Sequence, residues 1–234
     1  MSGAMEKLEK YILEMGPVDG DDSRLLRQIA YERLQDAIRH SDLQPGDPLS
    51  ESRISKALGI SRTPVREALQ QLASEGLVQI IPGRAITIAA PSMQEVLDAL
   101  HVRELLEPEV VRLAAEALPT NAKETLQKLT ADMEQAARAG DRPAWSKLDI
   151  QWHEILCDSC PNRLLGQLVL QARNRMHNKG SDEHVSDQYL IEGTLEHKHV
   201  LNAIFNRDGE TAERLMLDHI RNLRSNNFMR LARY

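Results

Sequence analysis

The stretch that decides the fold covers residues 49–77 and reads LSESRISKALGISRTPVREALQQLASEGL. Ser50 is a good N-cap for a helix over residues 51–58, because its hydroxyl can accept a hydrogen bond from the first turn. Gly59 can end that helix, since glycine readily adopts the left-handed conformation found there. A second helix, capped by Ser61, is predicted over residues 62–75, after a gap of three residues. Two short helices joined in this way are typical of a helix-turn-helix.

The flanking segments complete a small mixed domain. Apolar positions at helical spacing predict a helix over residues 24–40. Two β-rich runs, Leu77–Ile81 and Ala85–Ile88, are separated by Pro82-Gly83-Arg84 and predict a hairpin where the wing of a winged helix would lie. A small α+β domain without a nucleic-acid function would show the same elements, so these patterns leave that alternative open.

The rest of the chain has no strand signal after Pro91. A long helical stretch runs to about residue 118, and Pro108 marks a kink or a break in it. Further helices are predicted over residues 121–138, 142–157, 163–179, 188–206 and 209–227. Aromatic residues make up only 3% of the chain, so aliphatic side chains must form the core. The predicted fold is an α+β winged helix-turn-helix domain followed by an all-α helical bundle.

Charge divides the chain in the same way. The net charge is −6, yet residues 24–90 hold nine basic against seven acidic residues. Residues 1–23 hold two basic and six acidic residues, and residues 91–234 hold 18 basic and 22 acidic residues. DNA binding requires a local basic patch rather than a basic chain. We therefore expect an acidic, mobile N-terminal arm over residues 1–23, with a short helix near Leu8–Met15, and a DNA-binding domain over residues 24–90.

Several classes of protein are excluded by composition. No apolar run approaches the ~20 residues that a membrane span requires, and the amphipathic N-terminus does not resemble a signal peptide. Cys157 and Cys160 are the two cysteines of the chain, and they imply no disulfide framework. We expect a cytoplasmic protein without a membrane partner, in which both thiols are ordinary side chains.

The second helix of the helix-turn-helix carries a polar face suited to DNA. Arg62, Arg66 and Gln70 recur every four residues and therefore share one face. Two arginines one turn apart can reach guanine edges or phosphates, depending on docking. An ordinary solvated helix face is the alternative, but the setting of a helix-turn-helix followed by a hairpin favours DNA binding. The candidate DNA-binding residues are Ser61, Arg62, Thr63, Arg66, Gln70, Gly83 and Arg84.

Residues 49–51, 57–69, 72 and 75–78 resemble the GntR family of bacterial regulators. The run from Gly59 to Leu69 is dense and specific. The resemblance implies that Arg62 and Arg66 are the principal DNA contacts and that Ser61, Thr63 and Gly83 support them.

Four polar side chains of the helical half lie on otherwise apolar faces. Asp149 and His153 are four residues apart and project from one helix face, among tryptophans and leucines. His197 and His219 fall in the apolar stripes of two later helices. A single buried histidine is usually satisfied by hydrogen bonds. Three histidines and one aspartate together suit Zn²⁺, Ni²⁺ or Mn²⁺.

This set is similar to the FCD effector domain of the FadR-type branch of GntR regulators, in which an Asp-x3-His pair joins two later histidines. The resemblance covers about residues 24–225 and implies a helical bundle with a divalent metal at its centre and a small carboxylate effector beside it. Arg103 is a candidate to bind that carboxylate, since a guanidinium pairs with it bidentately. A structural ion pair is the alternative for Arg103. Arg173 and Arg175 are further candidates.

The family resemblance implies a ligand-responsive transcriptional regulator, most often a repressor, that reads palindromic operator DNA as a homodimer. Residues 91–234 would then form the effector-binding and dimerisation domain. A metal-dependent hydrolase with a DNA-binding appendage is the rival class, because an Asp/His₃ site could activate water. Glu154, next to His153, points elsewhere on its helix and no separate general base is evident, so we do not expect an enzyme. A metabolite sensor without metal is a third possibility.

Overall fold

The computed structural model describes residues 3–16, 18, 23–40, 43–176 and 186–231. Contacts divide the chain into two compact units, Met1–Ser92 with Asn174–Gly180 and Met93–Arg173 with Ser181–Tyr234. Each unit has its own apolar core.

The first unit is a winged helix-turn-helix with an additional N-terminal helix. Its elements in chain order are α1 (Gly3–Glu14), α2 (Ser23–His40), β1 (Pro48–Leu49), α3 (Glu51–Leu58), α4 (Arg62–Ser74), β2 (Val78–Ile81) and β3 (Ala85–Ile88). The strands form one antiparallel sheet in the order β1-β3-β2, in which Ile81 pairs with Ala85 beside the hairpin turn. The predicted helix-turn-helix and hairpin are confirmed. The short strand β1, which the sequence did not predict, pairs with β3.

The ends of α3 follow the predicted caps, whereas the start of α4 does not. Ser50 accepts a hydrogen bond from the backbone nitrogen of Arg53 at 3.4 Å. Gly59 has a φ of +72°, in the left-handed region that glycine favours. Ser61 occupies the N-cap position of α4, but among the described residues its side chain makes no capping hydrogen bond. The predicted capping by Ser61 is therefore wrong, and its exposed hydroxyl faces solvent.

Much of the segment predicted to be a mobile arm is instead the packed helix α1. Met5, Leu8 and Ile12 recur at helical spacing and are buried in the core of the first unit. The hydroxyl of Tyr11 donates to Asp36 Oδ2 at 2.8 Å and so ties α1 to α2. Burial, followed by this hydrogen bond, raises the pKa of Tyr11 to about 12. The acidic composition suggested an arm, but the apolar stripe decides the structure.

In the described part of the second unit, all regular secondary structure is helical. Its helices are α5 (Met93–Ala117), α6 (Thr120–Ala139), α7 (Arg142–Asp158), α8 (Arg163–Asn174), α9 (Asp187–Phe205) and α10 (Gly209–Leu231). Helix α5 continues through Pro108, so the predicted break does not occur. The helix predicted over residues 163–179 ends at Asn174, and residues 177–179 lie outside the described part of the chain. No described helix is long and apolar enough to cross a membrane.

Packing between the helices of this unit brings α7, α9 and α10 close to one another. Helix α5 packs along α10, α6 packs along α7, and α9 contacts α5, α6 and α10. The buried indoles of Trp145 and Trp152 donate to Thr194 and Thr130 at 2.8 and 3.0 Å. The ring of Trp152 lies 4.6 Å from that of His197, centroid to centroid. These tryptophans form a rigid apolar wall with satisfied polar atoms.

We predict that Leu8→Ala lowers the free energy of unfolding of the first unit by about 2–5 kcal/mol, because the side chain is fully buried. Leu13→Ala is the matched control on the same helix. Leu13 is 63% exposed, and its truncation should change the free energy by less than about 0.5 kcal/mol. Urea denaturation measures both variants. Equal stabilities would contradict the packing of α1.

Candidate functional site

The candidate DNA-binding residues are all exposed in the first unit. On and beside α4, the exposed residues include Ser61, Arg62, Thr63, Arg66 and Gln70, whereas Val65, Ala68, Leu69 and Leu72 are buried. The apolar side of α4 thus anchors the helix, and its polar side faces solvent. In the turn between β2 and β3, Gly83 has a φ of +69° and Arg84 is exposed beside it. The sequence predicted this division of α4 correctly.

Arg66 is held by a carboxylate of the neighbouring helix. Its Nε lies 3.1 Å from Glu51 Oε1 and its Nη2 lies 2.9 Å from Glu51 Oε2. The hydrogen bonds from Arg66 are the main cause of a lowered pKa of Glu51. Exposed ion pairs of this kind are weak because water and salt screen them. A phosphate or a guanine edge can therefore compete for the guanidinium.

Three histidines meet in the core of the second unit. His153 on α7, His197 on α9 and His219 on α10 are all buried. One ring nitrogen from each histidine faces the others, and these three nitrogens all lie within 4.8 Å of one another. The Nε2 atoms of His153 and His197 are 3.0 Å apart. The helical stripes recognised in the sequence therefore do bring the three imidazoles together.

Each imidazole has an oxygen partner at Nδ1. The partners are Gly193 O for His197 at 2.6 Å, Glu107 Oε1 for His153 at 3.2 Å and Glu196 Oε2 for His219 at 2.7 Å. A neutral imidazole carries one N–H, and these oxygens can only accept it. Nδ1 is then the donor, and the Nε2 lone pairs are left for a ligand. Metal-binding histidines are held in this way.

The protonation of the cluster suits ligand binding. Burial is the largest influence on both His153 and His219, and it lowers the pKa of each imidazole. Both rings therefore lose their charge at a lower pH than a solvent-exposed histidine. The neutral imidazole is the form that binds a metal ion.

Asp149 joins the cluster, as predicted. Its Oδ1 lies 3.0 Å from His197 Nε2 and 3.6 Å from His153 Nε2, and its Oδ2 accepts from Arg173 Nη2 at 3.0 Å. Burial alone would raise its pKa, but the neighbouring histidines and Arg173 lower it well below the usual range. Asp149 is therefore an ionised carboxylate beside two of the three imidazoles.

The residues fit a divalent metal ion. When two metal–ligand bonds of about 2.1 Å are at right angles to each other, the two ligand atoms are about 3.0 Å apart. The separations of His197 Nε2 from His153 Nε2 and from Asp149 Oδ1 are both 3.0 Å. Three imidazole nitrogens and one carboxylate oxygen suit Zn²⁺, Ni²⁺ or Mn²⁺.

Sequence reasoning missed two acidic residues of the site, Glu107 and Glu196. Glu107 is buried and accepts from Arg103 Nε at 2.7 Å and from Arg173 Nη1 at 2.9 Å. Arg103 thus takes the structural ion pair that was the alternative to its binding an effector. The signals were present: Glu107 follows Arg103 by one helical turn, and Glu196 directly precedes His197.

Arg175 and the two cysteines are not part of the histidine cluster. Arg175 groups with the first unit, where its Nη2 donates to the carbonyl oxygen of Ser74 at 3.3 Å. Cys157 and Cys160 are free and buried. Burial raises the pKa of the Cys157 thiol, which disfavours a reactive thiolate.

A small polar pocket opens between α9 and α10 and borders the histidine cluster at His219. Its volume is about 260 Å³, and its lining includes Tyr189, Gly193, Glu196, His219 and Asn222. Since His219 belongs to both the pocket and the cluster, a small polar molecule entering here reaches the edge of the histidine site.

Two family models match the two halves of the chain. Residues 26–88 match the gntR family of bacterial regulatory proteins, and residues 98–222 match the FCD domain. The chain belongs to the GntR family. It is a DNA-binding transcriptional regulator with a C-terminal FCD domain, and it is not an enzyme. The resemblance recognised in the sequence is confirmed.

Similar proteins span nearly the whole chain. The HTH-type transcriptional repressor RspR of Escherichia coli is 29% identical over 200 residues, which cover 85% of this chain and 87% of RspR. The galactonate operon transcriptional repressor of the same species is 28% identical over 204 residues, covering 78% and 88% of the two chains. The structure of E. coli McbR/YncC has the same fold, with a TM-score of 0.75 at 23% identity over 88% of this chain and 98% of that one.

Proposed function

We propose that this GntR regulator is a repressor that binds a palindromic operator as a homodimer and senses a small organic acid at a metal ion in its FCD domain. The observation that carries the proposal is the convergence of one ring nitrogen from each of three imidazoles beside a polar pocket. Relatives named as repressors support the direction of control. Paired recognition helices of a homodimer suit a palindromic site.

In this proposal, the exposed face of α4 reads the operator. Arg62 and Arg66 contact base edges or phosphates, and Gln70 lies one turn further along the same face. Ser61 and Thr63 donate to the DNA backbone, and Gly83 with Arg84 approaches the minor groove. Their common exposure supports these roles. Arg66 would exchange Glu51 for DNA.

We predict that Arg66→Ala abolishes specific operator binding without unfolding the protein. Each lost contact costs about 1–3 kcal/mol, and a dimer loses it twice. Arg138→Ala is the matched control, because Arg138 is also exposed and paired with a glutamate but lies in the FCD domain. Fluorescence anisotropy at fixed salt, with an operator obtained by in vitro selection, measures both variants. Equal affinities for the two would refute the assignment.

We further propose that Asp149, His153, His197 and His219 hold one divalent transition-metal ion per chain. When bound, the ion acts as a Lewis acid that attracts anionic oxygens. Four protein ligands leave positions open on a six-coordinate ion, and carboxylate or hydroxyl oxygens can occupy them. Hydrogen bonds from Nδ1 to the carbonyl oxygen of Gly193 and to Glu196 Oε2 fix the orientations of the His197 and His219 rings.

We expect His197→Ala to abolish stoichiometric metal binding, whereas His199→Ala should retain it. Both residues lie on α9, but His197 is buried in the cluster and His199 is exposed. Elemental analysis after metal loading gives the stoichiometry. Chelation should lower the melting temperature of the wild type and of His199→Ala, but not that of His197→Ala. The reason is that an ion that prefers the folded state stabilises it. A wild type that takes up no transition metal would rule out the site.

The electrostatics of the site favour an anionic effector. Arg103 and Arg173 balance the buried carboxylate of Glu107 and the half-buried carboxylate of Asp149. A divalent ion among neutral imidazoles then adds positive charge that a ligand carboxylate can neutralise. A long acyl chain fits poorly, because the polar pocket offers little apolar surface. A relative named for the galactonate operon is consistent with a sugar acid, a hydroxy acid or a dicarboxylate.

We predict that a small organic acid binds the metal-loaded protein, that chelation weakens this binding, and that the acid changes operator affinity by linkage. Calorimetry with a panel of hydroxy acids, sugar acids and dicarboxylates, with and without metal, tests the first two points. An uncharged or long-chain molecule as the sole tight ligand, unaffected by chelation, would show that the pocket has been misinterpreted. The DNA-binding proposal does not depend on this result.

A further inference from the structure

Glu107 connects the histidine cluster to a buried network of charges. Its side chain is 2% exposed, and its two oxygens have different partners. Oε2 accepts from Arg103 Nε at 2.7 Å, within α5. Oε1 lies 2.9 Å from Arg173 Nη1 on α8 and 3.2 Å from His153 Nδ1 on α7. One carboxylate thus joins three helices of the FCD domain.

We propose that Glu107 is a positioning residue of the histidine site. It fixes His153 as the tautomer protonated at Nδ1 and, through Arg173, holds the carboxylate of Asp149 beside the imidazoles. The consequence for metal affinity rests on the proposed function. The tautomer of His153 does not, since it follows from contacts present without an ion.

The tautomer follows from the two sides of the His153 ring. A proton on Nδ1 is donated to the Glu107 carboxylate, whose Oε1 lies 3.2 Å away. On the Nε2 side, Asp149 Oδ1 lies 3.6 Å away, beyond hydrogen-bond distance, and the acceptor within reach is the uncharged Nε2 of His197 at 3.0 Å. The hydrogen bond to the ionised carboxylate is the stronger of the two, so the proton is favoured on Nδ1. Both side chains are 2% exposed, so water cannot compensate for the wrong arrangement. The Nε2 lone pair therefore faces the cluster, where His197 Nε2 lies 3.0 Å away.

Arg173 extends the influence of Glu107 to Asp149. Its Nη1 contacts Glu107 Oε1 and its Nη2 contacts Asp149 Oδ2, so one planar guanidinium bridges two carboxylates. Asp149 is held with Oδ1 3.0 Å from His197 Nε2. Without Glu107, Arg173 would lose the partner that fixes its plane, and Asp149 would lose its alignment with the imidazoles.

A purely structural role for Glu107 would rest on its ion pair with Arg103. The two roles use different oxygens, because Oε2 serves Arg103 and Oε1 serves Arg173 and His153. Replacing Arg103 by Met therefore provides a background in which the ion pair is already absent. On that background, Gln at position 107 keeps a carbonyl acceptor and Met does not. Neither carries a charge.

The first test uses metal-free wild-type protein labelled with ¹⁵N-histidine. Two-bond nitrogen–proton NMR correlations report which nitrogen of His153 carries the proton, and the ring is assigned by its loss in His153→Gln. We expect the proton on Nδ1. A proton on Nε2 overturns the proposal, whether or not the protein binds metal.

The second test compares the double variants Arg103→Met/Glu107→Gln and Arg103→Met/Glu107→Met. Zn²⁺ affinity is measured by competition with a chromophoric chelator, and melting temperatures of the metal-free proteins report stability. We expect Arg103→Met/Glu107→Met to bind Zn²⁺ about 10–100-fold more weakly than Arg103→Met/Glu107→Gln, because this is the usual effect of losing an orienting partner. We also expect His153 to lose its single tautomer in the variant with Met at position 107. Equal Zn²⁺ affinities and tautomers overturn the proposal.

The two measurements separate this proposal from the metal site itself. If both double variants fail to fold, the tautomer of the wild type still decides the role of Glu107. If wild-type protein binds no Zn²⁺ although His153 is protonated at Nδ1, the proposed metal site fails, whereas the positioning of His153 by Glu107 stands.

Discussion

The hydrogen bonds that three buried imidazoles require are the constraint on which the FCD domain of this protein depends. A buried N–H without an acceptor costs about 1–3 kcal/mol, so each ring must find an oxygen inside the protein. One acceptor is a backbone carbonyl and two are carboxylates, Glu107 and Glu196. The buried carboxylate of Glu107 in turn requires cations, and Arg103 and Arg173 supply them. The histidines thus account for most of the buried charge around them.

This chain of requirements joins helices that are distant in sequence. The imidazoles come from α7, α9 and α10, and the charges that support them come from α5, α8 and α9. Breaking such a network by removing one partner leaves an uncompensated buried charge, which is strongly destabilising. The helices around the site are therefore held in one arrangement. A ligand can change that arrangement only through a difference in its affinity for two states of the domain.

The sequence predicted the parts of the structure that local signals specify. The caps around Ser50 and Gly59, the stripe of α4 and the positions of the histidines all depend on spacing within one element. The role of Glu107 could not be predicted in that way, because it depends on which side chains three helices bring together. Arg103 was considered for the effector because an arginine in a helical core needs an anion. That anion lies four residues further along the same helix. Helix α1 was predicted only as a short helix within a mobile arm, because its acidic residues obscured an apolar stripe of three residues.

The DNA-binding domain also pairs an arginine with a glutamate, but this ion pair lies at the surface and not in the core. Arg66 pairs with Glu51 on the surface, where water screens the attraction and the net gain is small. In the FCD domain, Arg103 pairs with Glu107 away from water, and exchange of partners would expose both charges to an apolar interior. An arginine that must release its carboxylate to bind DNA is suited to the first setting. One that must keep its neighbours fixed is suited to the second. The depth of each ion pair therefore indicates which arginines can take part in recognition and which maintain the site.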